Sequence, residues 1–570
     1  MQSLLTSGHQ YPHVKMRGTK RLAVPRSRAR TSPSPSASDS EYASDKDPVP
    51  KRRKTTKSNG PNHAEIYRRL LSQDNLTPER KPCLPPSRKH SLSYHTPLLL
   101  DRDIGLANRK KFLAWFDSVS TSRSMPWRQT WINPRDYASD APGLRKQLER
   151  RAYQVWISEI MLQQTRVAAV IEYWNKWMEQ WPTIQDLAQA SRDDVLAAWR
   201  GLGYYSRATR IHEAAKAVVE DSKMDGLLPA TAADLAAKVP GVGRYTAGAI
   251  SSIVFGRPEP MVDGNVLRVL SRQLGIHGDI KADKAVIDII WAAADSLVKA
   301  IGHDGVEEDG GVSDRPGRWG QGLMELGSTV CTPKPNCAAC PITDTCRAYN
   351  EGAALTDKTL AYTTDIEDLC NVCTPFEDTA EDADPTPTPA KKPAAKQMTL
   401  AAFGMGKKAT KTENPSVNVD NIVKHAQRFP IKSIKKAVRQ EETLVCAIRR
   451  GDGRYLIHKR PEKGLLAGLW EFPSHILEDP TETTPAKRKQ QAREHVTKIL
   501  GHTGAKYAGD LGSVPWLFSH IKLTMHVHYF TVPDDSDGNI GKDDRWSDDV
   551  ESESMGTGMR KCWELVQDAN

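Results

Sequence analysis

Apolar residues recur at helical spacing through much of residues 108–350. Segments Tyr153–Trp181, Asp194–Glu220, Ala232–Val239 and Thr246–Phe255 place them three or four positions apart, so each predicts helix with a buried face. Two stretches interrupt the pattern. Residues 129–150 are charged and contain proline, and residues 302–318 are rich in Gly, Asp and Glu, so both read as surface insertions. From Glu441 the period shortens to two. Thr443–Arg449, Arg454–Lys459 and Lys522–Val532 predict strands, with Gly451-Asp452-Gly453 as a turn. Residues 374–416 are acidic, then rich in Pro, Thr, Ala and Lys, which is linker composition. Residues 1–100 are rich in Ser, Pro, Arg and Lys and predict disorder. The chain thus divides into a disordered basic tail (1–105), an all-α domain (106–350), a linker (351–438) and a smaller α+β domain (439–570).

Charge narrows this picture. The 570 residues carry a net charge of +10, but residues 1–100 alone hold 19 Lys+Arg against 7 Asp+Glu, and the rest hold 61 against 63. The overall basicity belongs to the tail and is no argument that the folded part binds nucleic acid. Within the tail, Pro50-Lys51-Arg52-Arg53-Lys54 reads as a nuclear import signal. The first 38 residues are free of acid and rich in Arg and Ser, which also suits a mitochondrial address. No run of 18 apolar residues and no apolar signal segment is present.

Of nine cysteines, four fall in Cys331-x5-Cys337-x2-Cys340-x5-Cys346. Four soft thiolates in one short loop suit zinc or an iron–sulfur cluster, and a single Cys-x2-Cys knuckle favours the cluster. In Val239-Pro240-Gly241-Val242-Gly243-Arg244-Tyr245 a helix ends, a Gly-x-Gly turn follows and another helix begins. Glycines let backbone N–H groups approach a phosphate there, the pattern of a helix-hairpin-helix grip on DNA; an ordinary tight turn has the same local signature. Asp263 precedes the periodic run Val266–Leu274 and is either a helix N-cap or a carboxylate offered to a ligand. Glu159 sits in an apolar helical run. Burial would raise its pKa and suit it to general acid work, while a paired core Glu or an exposed one fits the run equally.

Taken together, these motifs resemble the MutY adenine DNA glycosylases of the helix-hairpin-helix, endonuclease III-like superfamily. The resemblance rests on Pro126-Trp127-Arg128, Ser158–Arg166, Gly201–Arg207, the hairpin, Val262–Val266, Met324–Gly327 and the cysteine loop, in family order. Phe518-Ser519-His520 and the strand-rich segment resemble the family's C-terminal, Nudix-like domain. The resemblance implies a monofunctional enzyme that flips out adenine mispaired with 8-oxoguanine or guanine and hydrolyses its N-glycosidic bond. It implies catalytic roles for Glu159, Asp263, Tyr245 and Asn265, an adenine pocket of Trp127, Arg128 and Glu325, and DNA contacts from Gln164, Tyr204, Gly241 and Gly243. It implies reading of 8-oxoguanine by Phe518, Ser519 and His520, and a 4Fe-4S cluster on Cys331, Cys337, Cys340 and Cys346.

Two departures stand out. The first cysteine gap is one residue shorter than the family's, and the stretch between Arg128 and Arg151 is longer. Tyr245 stands where bifunctional relatives carry the Schiff-base lysine, so an intact abasic strand is expected. In the second domain Arg493-Glu494 is followed by His495-Val496-Thr497-Lys498, without the acidic pair of a Nudix hydrolase, so a binding module is expected. Cys370 and Cys373 read either as two free thiols or as a half-site for structural zinc with a further ligand. Gln397, Leu400 and Phe403 resemble a sliding-clamp-binding motif. A monomer is expected. The alternatives are an endonuclease III-like glycosylase/lyase on oxidised pyrimidines, disfavoured by Tyr245, and a non-catalytic mismatch-binding scaffold, disfavoured by the two carboxylates.

Overall fold

The computed structural model describes residues 63–73, 77–85, 88–304, 312–355, 369–376, 415–432, 438–461, 464–478, 483–518, 521–534 and 540–569. The helical part holds two apolar clusters. One gathers Trp156, Ile160, Trp177, Trp199, Ile250 and their neighbours from the helices Ala141–Met161, Val167–Gln180, Arg192–Ala198 with its C-cap Trp199, Ser206–Glu220 and Arg244–Ile253. The other gathers Phe112, Val266, Leu270, Ile290, Trp319 and Leu323 from Ile104–Val119, Gly264–Leu274, Lys284–His303 and Arg315–Thr329. Met324 packs against both.

Caps set the helix ends. Asp140 accepts from Gly143 N with proline in the first turn, Thr183 and Asp186 form a reciprocal capping box, and Gly275 ends its helix in the left-handed region. The run read as one helix over Tyr153–Trp181 is two, parted at residues 162–166, where Gln164 has φ +57. Residues 129–150 are not merely an insertion. They supply the 3-10 turn Pro134–Tyr137 and the first half of the helix that carries Glu159.

The segment from 63 to 105, expected as part of a disordered tail, is ordered where described. Helix His63–Leu71 buries Tyr67, and Arg88 is clamped to Glu351 by Nε and Nη2 at 3.0 and 2.6 Å, both side chains almost wholly buried. His425, from the helix Pro415–Gln427 inside the expected linker, donates from Nε2 to the same carboxylate at 2.9 Å. These contacts span 263 and 74 positions, so local composition does not register them. Residues 1–62 and 377–414 lie outside the described residues.

The second domain is a seven-stranded sheet: β1 (Arg439–Arg450), β2 (Tyr455–Lys459), β3 (Trp470–Glu471), β4 (Ser474–Ile476), β5 (Lys506–Leu517), β6 (Ile521–Val532) and β7 (Asp544–Ser547), in the order β3-β2-β1-β6-β5 with β4 on β1 and β7 on β2. β1 and β6 run parallel and the other pairs antiparallel. β1 is buried on both faces. Leu444, Cys446 and Ile448 meet the helix Pro485–Leu500, and Val445 and Ala447 face the side covered by Thr557–Asp568.

Candidate functional site

Between the two helical clusters lies a cavity of about 780 Å³. Its lining includes Trp127, Arg128, Glu159, Gln164, Tyr245, Asp263, Asn265 and Glu325, so the expected catalytic and adenine-pocket side chains share one space. The volume falls in the range of pockets that hold a small organic ligand.

Glu159 ends its helix buried in the apolar wall. Burial pushes its carboxyl from an ordinary 4.5 up to about 7; the Tyr245 hydrogen bond and the Arg128 charge oppose this, and the Asp263 charge adds to it. The Tyr245 hydroxyl donates to Glu159 Oε2 at 2.6 Å, and Met324 Sδ lies 3.0 Å from that hydroxyl. Burial and the Glu159 charge raise Tyr245's own pKa well above normal, so the phenol stays a donor.

Asp263 is an N-cap and a wall of the cavity at once, so the two readings of the sequence coexist. Its Oδ1 accepts from Val266 N at 2.8 Å and its Oδ2 from Asn265 Nδ2 at 2.8 Å. Arg268, which the sequence did not flag, donates to Asn265 Oδ1 at 2.8 Å and to Gly327 O at 2.7 Å. That contact orients the amide with its NH₂ toward Asp263. A carboxylate held by two N–H donors thus faces the same space as a carboxyl that burial brings to about 7. Such a pair can assist bond cleavage with an acid on one side and oppose a developing cation on the other.

On the opposite wall Glu325 accepts from Arg128 Nη2 at 2.7 Å and from Arg123 Nη1 at 3.2 Å. Arg123 is a second residue the motifs missed. Tyr204 lies in a turn where Gly201, Gly203 and Tyr204 have φ +89, +76 and +51, and its hydroxyl donates to Gln164 Oε1 at 2.6 Å. Its ring is 49% exposed, which leaves a face for stacking. Gly241 has φ +77, where a Cβ would stand 3.3 Å from Arg210, and Gly243 opens the helix Arg244–Ile253 with free space before it. In the second domain Phe518 N donates to Ile521 O at 2.8 Å, closing the β5–β6 hairpin. Ser519 and His520 lie outside the described residues.

Two groups of metal-type donors stand apart from the cavity. Cys331, Cys337, Cys340 and Cys346 line one small pocket with Arg272, whose Nη1 lies 3.2 Å from Cys331 Sγ. The other group joins distant stretches. His90, His95, Cys370 and Cys373 place their donor atoms all within 4.8 Å of one another. His90 Nδ1 and His95 Nδ1 sit 2.5 and 2.9 Å from the carbonyls of Arg88 and Leu274. A carbonyl only accepts, so each Nδ1 carries the proton and each Nε2 turns its lone pair to the centre. This donor set could hold a metal. The half-site was legible in the sequence, while the two histidines carried no local pattern.

The family described as HhH-GPD superfamily base excision DNA repair protein matches residues 157–293, and a NUDIX domain matches residues 444–565. The chain is 35% identical to the adenine DNA glycosylase of Homo sapiens over 493 residues, covering 83% of this chain and 76% of the human one. It is 34% identical to that of Schizosaccharomyces pombe over 452 residues, covering 77% and 84%. Among solved structures, a thermostable thymine-DNA glycosylase is similar at 24% identity with a TM-score of 0.33, over 42% of this chain and 95% of that one.

Proposed function

The chain belongs to the adenine DNA glycosylases of base-excision repair, and on that premise we propose that it acts on adenine mispaired with 8-oxoguanine or guanine, with Glu159 as acid and Asp263 as the carboxylate facing the sugar. The observation that carries this is the shared cavity in which burial brings Glu159 to about 7 beside Asp263. Near neutrality Glu159 can give a proton to the flipped base, at N7 by family resemblance, and the leaving group departs neutral. Positive charge then grows at the sugar opposite Asp263, whose two oxygens are held by Val266 N and Asn265. Trp127 supplies an apolar wall, and Arg128 and Glu325 supply polar groups to the base's edge. Gln164 and the exposed face of Tyr204 fill the gap left by the flipped base. Gly241, Gly243 and the helix start at Arg244 receive backbone phosphate. Tyr245 offers no amine, so no strand is cut.

In the second domain the Phe518, Ser519 and His520 hairpin reads 8-oxoguanine. A 4Fe-4S cluster belongs on Cys331, Cys337, Cys340 and Cys346: burial pushes the thiols of Cys337 and Cys340 up to about 11 and 12, so a bound cation is what would turn them into thiolates. The cluster would tie the loop together through its four thiolates. Zinc belongs on His90, His95, Cys370 and Cys373, a donor set suited to a tetrahedral ion. Gln397, Leu400 and Phe403, outside the described residues, dock a sliding clamp, and the basic tail directs the chain to the nucleus and the mitochondrion.

Single-turnover base release tests the reading. Duplexes carry A opposite 8-oxoguanine, G, C or T, and the proteins are wild type, Glu159→Gln and Asp263→Asn. The expected result is preference for A opposite 8-oxoguanine, near-abolished release by both variants, and strands cleaved only after alkali. No such preference, wild-type rates in both variants, or strand cleavage without alkali would overturn it.

A further inference from the structure

The turn that carries Tyr204 is gripped from two sides. On one side Arg207 Nη2 donates to Leu202 O and Gly203 O at 3.3 and 2.9 Å, and its Nη1 donates to Ile160 O and Gln163 O, both at 2.7 Å. Arg207 thereby fastens the turn to the end of the helix holding Glu159. On the other side the grip comes from the second domain. Arg200 Nη1 donates to Glu551 O at 3.3 Å and Nη2 to Ser552 O at 3.2 Å. Glu551 O also accepts from Arg560 Nη1 at 2.8 Å. The carbonyls are held in place from behind, because Asp549 Oδ1 accepts from Glu551 N and Ser552 N at 3.1 and 3.2 Å. Beside this polar seat the fully buried Leu469 belongs to the same apolar cluster as Leu202 and Tyr205.

The seat leads back to the lesion-reading hairpin. Arg560 stands on the helix Thr557–Asp568, and that helix lies so close to β5 that a Cβ at Gly558 would be 3.1 Å from Trp516, two residues before Phe518. A continuous set of contacts therefore runs from the hairpin through Gly558 and Arg560 to Arg200, the Tyr204 turn, Arg207 and the Glu159 helix. Within that turn Tyr204 has φ +51, a left-handed backbone that a non-glycine residue keeps only when neighbours fix it, whereas Gly201 and Gly203 reach positive φ without strain.

We propose that Arg200 is a positioning residue: it transmits the second domain's engagement of the opposite base to Tyr204 and so sets the preference for adenine facing 8-oxoguanine. This rests on the reading of the Phe518 hairpin as the 8-oxoguanine contact. Arg200 does not line the cavity and touches no reacting atom. Its planar fork spans two successive carbonyls, which a lysine cannot do. A lesion bound at the hairpin can bias Tyr204 only through a contact whose free energy differs between the engaged and free domain, and this seat is that contact.

The test uses the full chain. Single-turnover adenine release is measured on duplexes with A opposite 8-oxoguanine and A opposite G, for wild type, Arg200→Ala, Arg200→Lys and Arg560→Ala, with melting curves for each. The expected result for Arg200→Ala is a rate on the 8-oxoguanine duplex reduced by roughly five- to tenfold, the scale of a coupling between sites, while the G duplex is nearly unaffected. Arg200→Lys should fall between and Arg560→Ala should lose discrimination in the same sense. An unchanged ratio in Arg200→Ala, or equal loss on both duplexes as from a plain structural staple, would overturn the relay alone. A wild type without preference for 8-oxoguanine would overturn the lesion reading and the relay with it.

Discussion

The phenol of Tyr245 donates a 2.6 Å hydrogen bond to Glu159 Oε2. A donor on a carboxylate favours its ionised form, so this bond acts against the burial that dominates the site. The balance leaves Glu159 near 7, where it is neither a committed base nor an acid that never ionises.

The rate of adenine release should fall as pH rises through about 7, because the acid form of Glu159 is the active one. In Tyr245→Phe the bond that lowers this pKa is gone, so the alkaline limb should move to higher pH. Single-turnover pH profiles of the two proteins decide it, and a limb that stays in place would separate Tyr245 from the tuning of Glu159.

The same shift makes a stability prediction. Glu159 ordinarily titrates at 4.5 and in the folded chain at about 7, so between those values the folded state binds more protons than the unfolded one. Stability attributable to this group is therefore greatest below 4.5 and is lost as pH rises through 7. Glu159→Gln removes the loss. Its Tm should exceed the wild type's at pH 8 by more than at pH 5, while release of adenine drops by roughly 10²–10⁴-fold. Equal Tm differences at both pH values would contradict the raised pKa.

Tyr204→Ala should weaken binding to mispaired duplex by roughly 1–3 kcal/mol, the worth of one base–aromatic stack. The ring is about half exposed, so the melting curve should barely move. Titration of labelled duplex together with thermal melting checks both halves.

His95→Ala and Cys373→Ser should each lose zinc and lower the melting temperature, with iron content unchanged, because their donors lie in the His90–Cys373 group and not in the pocket of Cys331, Cys337, Cys340 and Cys346. Metal analysis of the purified variants is the check. Loss of iron alongside zinc would show that the two groups do not form independently.

Much of this site was legible because it is written in short stretches. Asp263, Gly264 and Asn265 lie within one helix start, and the Gly241 to Tyr245 turn announces itself by its glycines. The pairing of Glu159 with Tyr245 was not readable from period or spacing, since the two are 86 positions apart; only the family resemblance put them together. What the sequence hid is long-range and polar. Arg88 meets Glu351 across 263 positions, His95 meets Cys370 across 275, and Arg123 meets Glu325 across 202. None of these sits in a hydrophobic pattern, so nothing local marks it. The expected tail and linker were misjudged for the same reason: their few apolar residues, Tyr67 and Tyr94 before the domain and Phe376 and Phe429 after it, find a core only once the chain has folded back.

Phe376 and Phe429 also have a geometric consequence. Their rings lie 5.7 Å apart, and both pack on His277 of the glycosylase body, at 4.3 and 5.7 Å. Phe376 and the helix Pro415–Gln427, which bracket residues 377–414 in the sequence, are thus both fastened to the glycosylase body. Insertions between them would not lengthen the covalent tether to the second domain, which is the short passage from Phe429 to Arg439. Doubling a flexible loop costs only about 0.6 kcal/mol of closure entropy, so extra length there is tolerated without loosening that tether.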